Sequence, residues 1–177
     1  MKQQFDLDSA IRKIPDFPKP GILFYDITSV LAHPKAFSYC IDSMLELYAN
    51  EEIDAVAAIE SRGFLFAAPF AERRGKPLLL VRKKGKLPGK TISKKYALEY
   101  GEAEIEMHVD DIPSGARILI VDDLIATGGT LRATADLLRE GKAIPVGVFG
   151  VIGLPFLQYD KALSGLSVKT LINYSCE

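Results

Sequence analysis

Two adjacent carboxylates, Asp122 and Asp123, stand a few residues ahead of Ala126-Thr127-Gly128-Gly129-Thr130. An ionised carboxylate only accepts hydrogen bonds, so a neighbouring pair suits a vicinal diol and repels an anion. The run that follows offers the opposite. Its backbone N–H groups, its two hydroxyls and the positive end of the helix it opens suit a phosphate, and two glycines let the backbone come close. Diol acceptors followed by a phosphate cup describe a site for a ribose 5-phosphate. Each fragment alone is compatible with a solvated strand end and a plain turn. The order of the whole constellation argues for a site.

Other residues could serve an anion nearby. Glu60-Ser61-Arg62-Gly63 is a turn whose arginine could fork onto phosphate oxygens, though an arginine at a helix start is also common at a surface. Arg82, Lys83 and Lys86 open a basic stretch, of which Lys90, Lys94 and Lys95 read as solvated. Rival nucleotide motifs fit poorly. Gly85-Lys86-Leu87-Pro88-Gly89-Lys90-Thr91 has one residue too few between its glycines for a Walker loop, and Gly147, Gly150 and Gly153 do not follow the dinucleotide spacing.

The elements that must position these groups alternate. Asp54–Ile59 reads as a strand, Phe64–Arg74 as a helix and Pro77–Arg82 as a strand. Arg117–Val121 is then a strand, Leu131–Glu140 a helix and Ile144–Ile152 a strand. Strands apolar on both faces and alternating with helices predict an α/β fold, a mostly parallel twisted sheet with helices on both faces. The carboxyl ends of such strands are where ligands bind. Asp8–Ile14 reads as a short helix capped by Asp8 or Ser9, Leu23–Thr28 as an extended piece and Pro34–Asn50 as a helix. Residues 83–111 differ from the rest. They start basic, end acidic, and alternate around Gly101 as a flexible loop and hairpin would.

With 177 residues, 48% hydrophobic and 25% charged, the chain predicts one domain spanning 1–177 and excludes general disorder. A net charge of -1 supplies no field for nucleic acid or anionic lipid. The two cysteines, Cys40 and Cys176, form no metal pattern with His33 and His108 and read as free thiols. No signal-like or membrane-spanning run is visible, so a soluble cytoplasmic protein is expected.

Val121–Thr130 resembles the phosphoribosyl pyrophosphate (PRPP) motif of type I phosphoribosyltransferases. Phe17-Pro18-Lys19-Pro20-Gly21, Glu60-Ser61-Arg62-Gly63, Arg82–Gly89 and Tyr96-Ala97-Leu98-Glu99-Tyr100-Gly101 extend the likeness, in order, to the adenine-specific branch. The resemblance implies transfer of the 5-phosphoribosyl group from PRPP to adenine, giving AMP and pyrophosphate. It implies Asp122 and Asp123 on the ribose as catalytic groups, with Ala126, Thr127, Gly128, Gly129 and Thr130 on the phosphate. Ser61, Arg62, Arg82, Lys83 and Lys86 would serve pyrophosphate, and Glu99 would act as acid–base near adenine N7. A hood within residues 1–33 would read adenine by main chain around Leu23, Phe24 and Tyr25, where Tyr25 replaces a residue often basic in the family. Mg²⁺ would arrive with PRPP, with no metal site made by protein alone. A homodimer, and no nucleic-acid or membrane partner, are likewise implied. A PRPP-sensing regulator without catalysis, or a transferase for another 6-substituted purine, are the alternatives.

Overall fold

Short apolar runs with branched side chains make strands, and the amphipathic runs between them make helices. The computed structural model describes residues 5–98 and 101–175. In chain order the elements are α1 (Leu7–Ala10), β1 (Arg12–Pro15), β2 (Leu23–Asp26), α2 (Thr28–Leu31), α3 (Pro34–Leu47), β3 (Ala55–Ile59), α4 (Gly63–Arg74) and β4 (Leu78–Lys83). Then follow β5 (Thr91–Leu98), β6 (Gly101–His108), β7 (Arg117–Ile125), α5 (Gly129–Glu140), β8 (Ile144–Gly153), α6 (Tyr159–Ala162) and β9 (Val168–Asn173). A seven-stranded sheet has the order β5-β6-β4-β3-β7-β8-β9. Strands β4, β3, β7, β8 and β9 run parallel, while β6 and β5 add an antiparallel edge.

Strand periodicity divides the core. Val56 and Ala58 on β3 and Leu119 and Val121 on β7 pack with Ile41 and Met44 of α3 and Phe66 and Phe70 of α4. Ala55, Ala57, Ile118 and Ile120 point the other way, onto Leu131, Leu137 and Leu138 of α5. Hence α4 and α5 lie on opposite faces. The chain leaves β3 through α4 towards β4, and leaves β7 through α5 towards β8. Since β3 and β7 are neighbours, the strand order switches direction between them, and a crevice opens at their carboxyl ends.

Three expectations change. The helix expected over Asp8–Ile14 is confined to Leu7–Ala10 and capped by Asp6, whose carboxylate accepts the Ser9 N–H at 3.3 Å. Residues from Arg12 onward instead form β1, because Lys13 and Ile14 lie opposite Tyr25 and Phe24 in a separate two-stranded antiparallel sheet. Tertiary pairing overrides a helix-like local pattern. Strand β7 runs through both carboxylates to Ile125, with Asp122 opposite Gly150 and Leu124 opposite Ile152. The antiparallel hairpin expected within residues 83–111 forms as β5 and β6, but it does not stand apart: β6 pairs with β4, which makes the hairpin an edge of the main sheet. Its β5 lies along α5, where Lys94 pairs with Glu140. The C-terminal stretch adds β9 as the far edge. Cys40 is a buried free thiol, and Cys176 lies outside the described residues. Among the described residues no helix is long and apolar enough to cross a membrane.

Candidate active site

The end of β7 carries the acidic pair. Along a strand successive side chains face opposite ways, so Asp122, Leu124 and Ala126 share one wall, while Asp123, on the other face with the core residue Ile125, borders the cleft beside Arg62. Asp123 is 3% exposed and its Oδ2 accepts the Nε–H of Arg62 at 2.5 Å. Asp122 Oδ1 accepts the Asp123 N–H at 2.9 Å. Burial and the adjacent Asp123 charge push the Asp122 carboxyl well above the usual carboxylate range. Adjacent carboxylates shielded from water repel each other, and Arg62 bonds Asp123 while its charge also acts on Asp122.

Gly63 explains how Arg62 reaches the pair. A Cβ there would stand 2.9 Å from the Val121 carbonyl oxygen and 3.0 Å from Asp122 Oδ1. Only glycine lets the start of α4 cross the end of β7 so closely. The Glu60–Ser61 peptide in this turn is cis.

Around this point three clefts meet. The first, about 480 Å³, is lined by Glu60, Ser61, Arg62, Lys83, Lys86, Asp122, Asp123, Leu124 and Ala126. The second, about 90 Å³, is formed by Ala126, Thr127, Gly128, Gly129, Thr130 and Leu131 with Asp122 and Leu124. Gly128, at φ +80°, caps α5 without a side chain, so the first-turn N–H groups of this twelve-residue helix point at the cleft. The Thr130 hydroxyl donates to Tyr96 Oη at 3.0 Å, which ties β5 to this loop. The third cleft, about 510 Å³, joins the first at Arg62 and is otherwise lined by Ile14, Phe17, Phe24, Tyr25, Asp26, Ile27 and Thr28. Phe17 and Phe24 meet edge to face with centroids 5.1 Å apart and give the cleft an apolar wall suited to a planar ring.

The structure therefore brings together Ser61, Arg62, Lys83, Lys86, Asp122, Asp123 and the 126–130 loop. Arg82 lies behind the first cleft, its guanidinium bonded to Glu60 Oε2 and Oε1 at 3.2 and 3.0 Å and to the Lys86 carbonyl at 3.0 Å. Phe24 and Tyr25 border the third cleft, whereas Leu23 packs against the core. The Tyr25 ring is buried and stacks on Tyr174, 3.8 Å away. Glu99 lies outside the described residues. Sequence reasoning assigned no role to Ile14, Asp26, Thr28 or Leu124. Period-two alternation from Asp122 would have found Leu124. Ile14 was hidden by the helix-like pattern around it. Asp26 accepts from the Thr28 hydroxyl at 2.6 Å, and that bond leads the effects holding it below the usual carboxylate range.

Among the described residues no cluster of three or more His, Cys, Asp or Glu could hold a metal ion. Asp122 and Asp123 are still hard oxygen donors whose mutual repulsion a divalent cation would relieve. Mg²⁺ is typically held by one or two carboxylates, substrate phosphates and water, so this donor set fits it.

The phosphoribosyl transferase domain model matches residues 26–153. The adenine phosphoribosyltransferase of Treponema denticola is 60% identical over 171 residues, covering 97% of this chain and 90% of that protein. That of Kosmotoga olearia is 47% identical over 96% of this chain and 99% of its own. The crystal structure of adenine phosphoribosyltransferase from Thermoanaerobacter pseudethanolicus superposes with a TM-score of 0.92 at 45% identity, covering 96% of this chain and 98% of that one. The Saccharomyces cerevisiae enzyme, complexed with an imino-altritol bisphosphate and adenine, gives 0.88 at 36% identity over 94% and 97%. A transferase domain model over most of the chain, and relatives of this identity along nearly all of it, agree with the crevice between β3 and β7: the chain belongs to the adenine phosphoribosyltransferase family.

Proposed function

We propose that the three connected clefts divide one reaction between them. The reaction is that of the family, in which adenine and PRPP give AMP and pyrophosphate. The observation that carries the division is the sharing of walls. Arg62 belongs to both the apolar slot and the charged cleft, and Asp122, Leu124 and Ala126 belong to both the charged cleft and the α5 cup.

In this reading the loop Ala126–Thr130 holds the 5-phosphate through backbone N–H groups, and Asp122 and Asp123 accept the ribose hydroxyls. Their charge also favours the positive character that develops at C1 as pyrophosphate leaves. Ser61, Arg62, Lys83 and Lys86 meet the departing pyrophosphate. Mg²⁺ arriving with PRPP would be met by Asp122 and Asp123, and when bound it spreads the leaving charge. Adenine lies against the Phe17 and Phe24 side chains. Main-chain groups around Leu23 and Tyr25 on β2, an N–H and a carbonyl, would match adenine N1 and N6. Glu99 is proposed from the family likeness as the group that shares a proton with N7. A closed site excludes water, which would otherwise capture the sugar cation.

Purified protein mixed with PRPP, Mg²⁺ and each of adenine, hypoxanthine, guanine and uracil tests this reading. Nucleotide is expected from adenine alone. Equal turnover of a 6-oxopurine would overturn the assignment of the base slot. We also infer a homodimer, for which exposed Leu65 and Leu80 offer apolar surface. Light scattering that gives a monomer mass at micromolar protein would reject it.

A further inference from the structure

The acidic run on β6 hides one carboxylate where a solvated hairpin needs none. Glu106 is 2% exposed, while Glu102 on the same strand faces water. A buried carboxylate is costly unless donors replace its water. Here four donors do so. Oε1 accepts the N–H groups of Lys86 and Leu87, both at 2.9 Å. Oε2 accepts the Thr91 hydroxyl at 3.2 Å and lies 3.4 Å from Lys84 Nζ. Burial pushes this carboxyl up, but the amides of Leu87 and Lys86, with Thr91 and Lys84, outweigh it and hold it below the usual range.

Three of the four donors come from the turn that joins β4 to β5, and the fourth, Thr91, opens β5. A second carboxylate works from the opposite side, since Glu60 accepts the Lys83 N–H at 3.0 Å as well as the Arg82 guanidinium. Arg82 in turn donates to the Lys86 carbonyl at 3.0 Å. Both backbone polar groups of Lys86 are thus fixed, one by Glu106 and the other by Arg82, although its side chain is exposed in the charged cleft. Gly85, at φ +84°, permits the tight turn between them. Left alone, Arg82, Lys83, Lys84 and Lys86 would repel one another and splay into water. The two carboxylates hold the turn in place and leave Lys83 and Lys86 facing Ser61 and Arg62.

We propose that Glu106 is a positioning residue for the pyrophosphate end of the cleft, holding the 83–87 turn so that Lys83 and Lys86 meet the diphosphate of PRPP or free pyrophosphate. The proposal rests on the reading of those lysines as diphosphate ligands. It makes Glu106 indifferent to adenine, which binds at the far side of Arg62. A merely structural carboxylate would weaken every substrate alike.

The test is steady-state kinetics of the full-length protein in both directions with Mg²⁺. Glu106→Gln should raise KM for PRPP and pyrophosphate about tenfold and leave KM for adenine and AMP within about twofold. Lys86→Ala, measured in parallel, reports on the ligand reading itself and should raise the same two constants. The double variant should be no worse than Lys86→Ala by more than about threefold, because Glu106 acts largely through that lysine. If Lys86→Ala shifts the two constants and Glu106→Gln does not, or Glu106→Gln shifts all four equally, the positioning role is wrong. If Lys86→Ala shifts neither constant, the ligand reading fails and the proposal goes with it. Should Glu106→Gln not fold, Thr91→Val removes one donor at the half-buried edge. It should raise KM for PRPP and pyrophosphate about threefold and leave KM for adenine and AMP unmoved, and no change would overturn the proposal.

Discussion

The two ends of the cleft are built differently. At the phosphate end the walls are continuations of the main sheet: residues 60–62 follow β3, residues 126–130 follow β7, and Gly63 lets the start of α4 lie against Val121 and Asp122 of β7. At the base end the wall is a separate two-stranded sheet, held by side chains from remote segments. Tyr174, just past β9, stacks on Tyr25 at 3.8 Å and 13°, and its hydroxyl donates to Asp8 at 2.6 Å. Asp8 also accepts from Lys13 at 2.7 Å, and Lys13 Nζ lies 5.4 Å from the Tyr174 ring centre. In the proposed reading, backbone places the groups that act at C1, whereas a clamp of side chains places the wall against which the base would lie. Damage to the first end should therefore cost turnover, and damage to the second should cost adenine affinity.

The largest expected effect tests the first half of that contrast. Asp122→Asn combined with Asp123→Asn should fold and lose at least about a thousandfold in kcat/KM, roughly 4 kcal/mol of transition-state stabilisation. Near-normal turnover would remove the ribose assignment. The single Asp122→Asn variant adds a stability readout. Its amide oxygen can still accept the Asp123 N–H, and it lacks the charge that burial and Asp123 make costly. A carboxyl whose pKa is raised by folding destabilises the native state once pH exceeds its ordinary value. The variant should thus melt higher than the parent at neutral pH, and the difference should shrink as pH falls into the ordinary carboxylate range. An unchanged melting temperature at pH 7 would mean the pair carries no such cost.

Gly63→Ala should follow in size. Its Cβ meets the backbone oxygen of Val121, which cannot swing aside, so about 1–3 kcal/mol of stability should be lost. Each kcal/mol corresponds to roughly 2–4 °C in melting temperature for a chain of this length. Because Asp122 must shift with β7, KM for PRPP should rise while KM for adenine stays close to the parent value. Thermal melts and the two KM values check this together, and an equal rise in both would blur the division between the ends.

The same difference decides what could be read beforehand. The phosphate end was legible because, Lys83 and Lys86 aside, its residues lie in two contiguous stretches, each a strand passing into a helix, so the spacing itself carried the geometry. The extension of β7 through Asp122 to Ile125 was not, since it depends on glycines that β8 places alongside. At Gly150 a Cβ would come within 2.6 Å of Ile125 Cγ1. The base end was only half legible. The extended piece from Leu23 was visible, but its partner β1 was not, because Ile14 gains its strand neighbour only through pairing with Phe24. A tyrosine at 174 carries no pattern, and its stack on Tyr25 exists only once β9 has docked at the sheet edge.

Tyr174→Ala tests that remote clamp. Losing the stack and the bond to Asp8 should loosen β2 and raise KM for adenine about fivefold, with KM for PRPP within about twofold. Tyr174→Phe keeps the ring and should recover most of the adenine affinity. A rise confined to PRPP would reverse the roles of the two ends.

The smallest effect lies where the hairpin touches the phosphate cup. Thr130 gives its hydroxyl proton to Tyr96, and a phosphate oxygen in the cup would compete for the same donor. A neutral hydrogen bond of this kind has a net worth of about 0.5–1.5 kcal/mol. Tyr96→Phe frees the Thr130 hydroxyl without altering the ring that packs beside α5, so KM for PRPP should fall by about twofold while KM for adenine is unmoved. The sign is the informative part. A fall means that Tyr96 competes with substrate for a donor of the backbone-built end. A rise would make the phenol itself a ligand of the phosphate, and that end would then depend on a side chain from β5 as the base slot depends on one beyond β9.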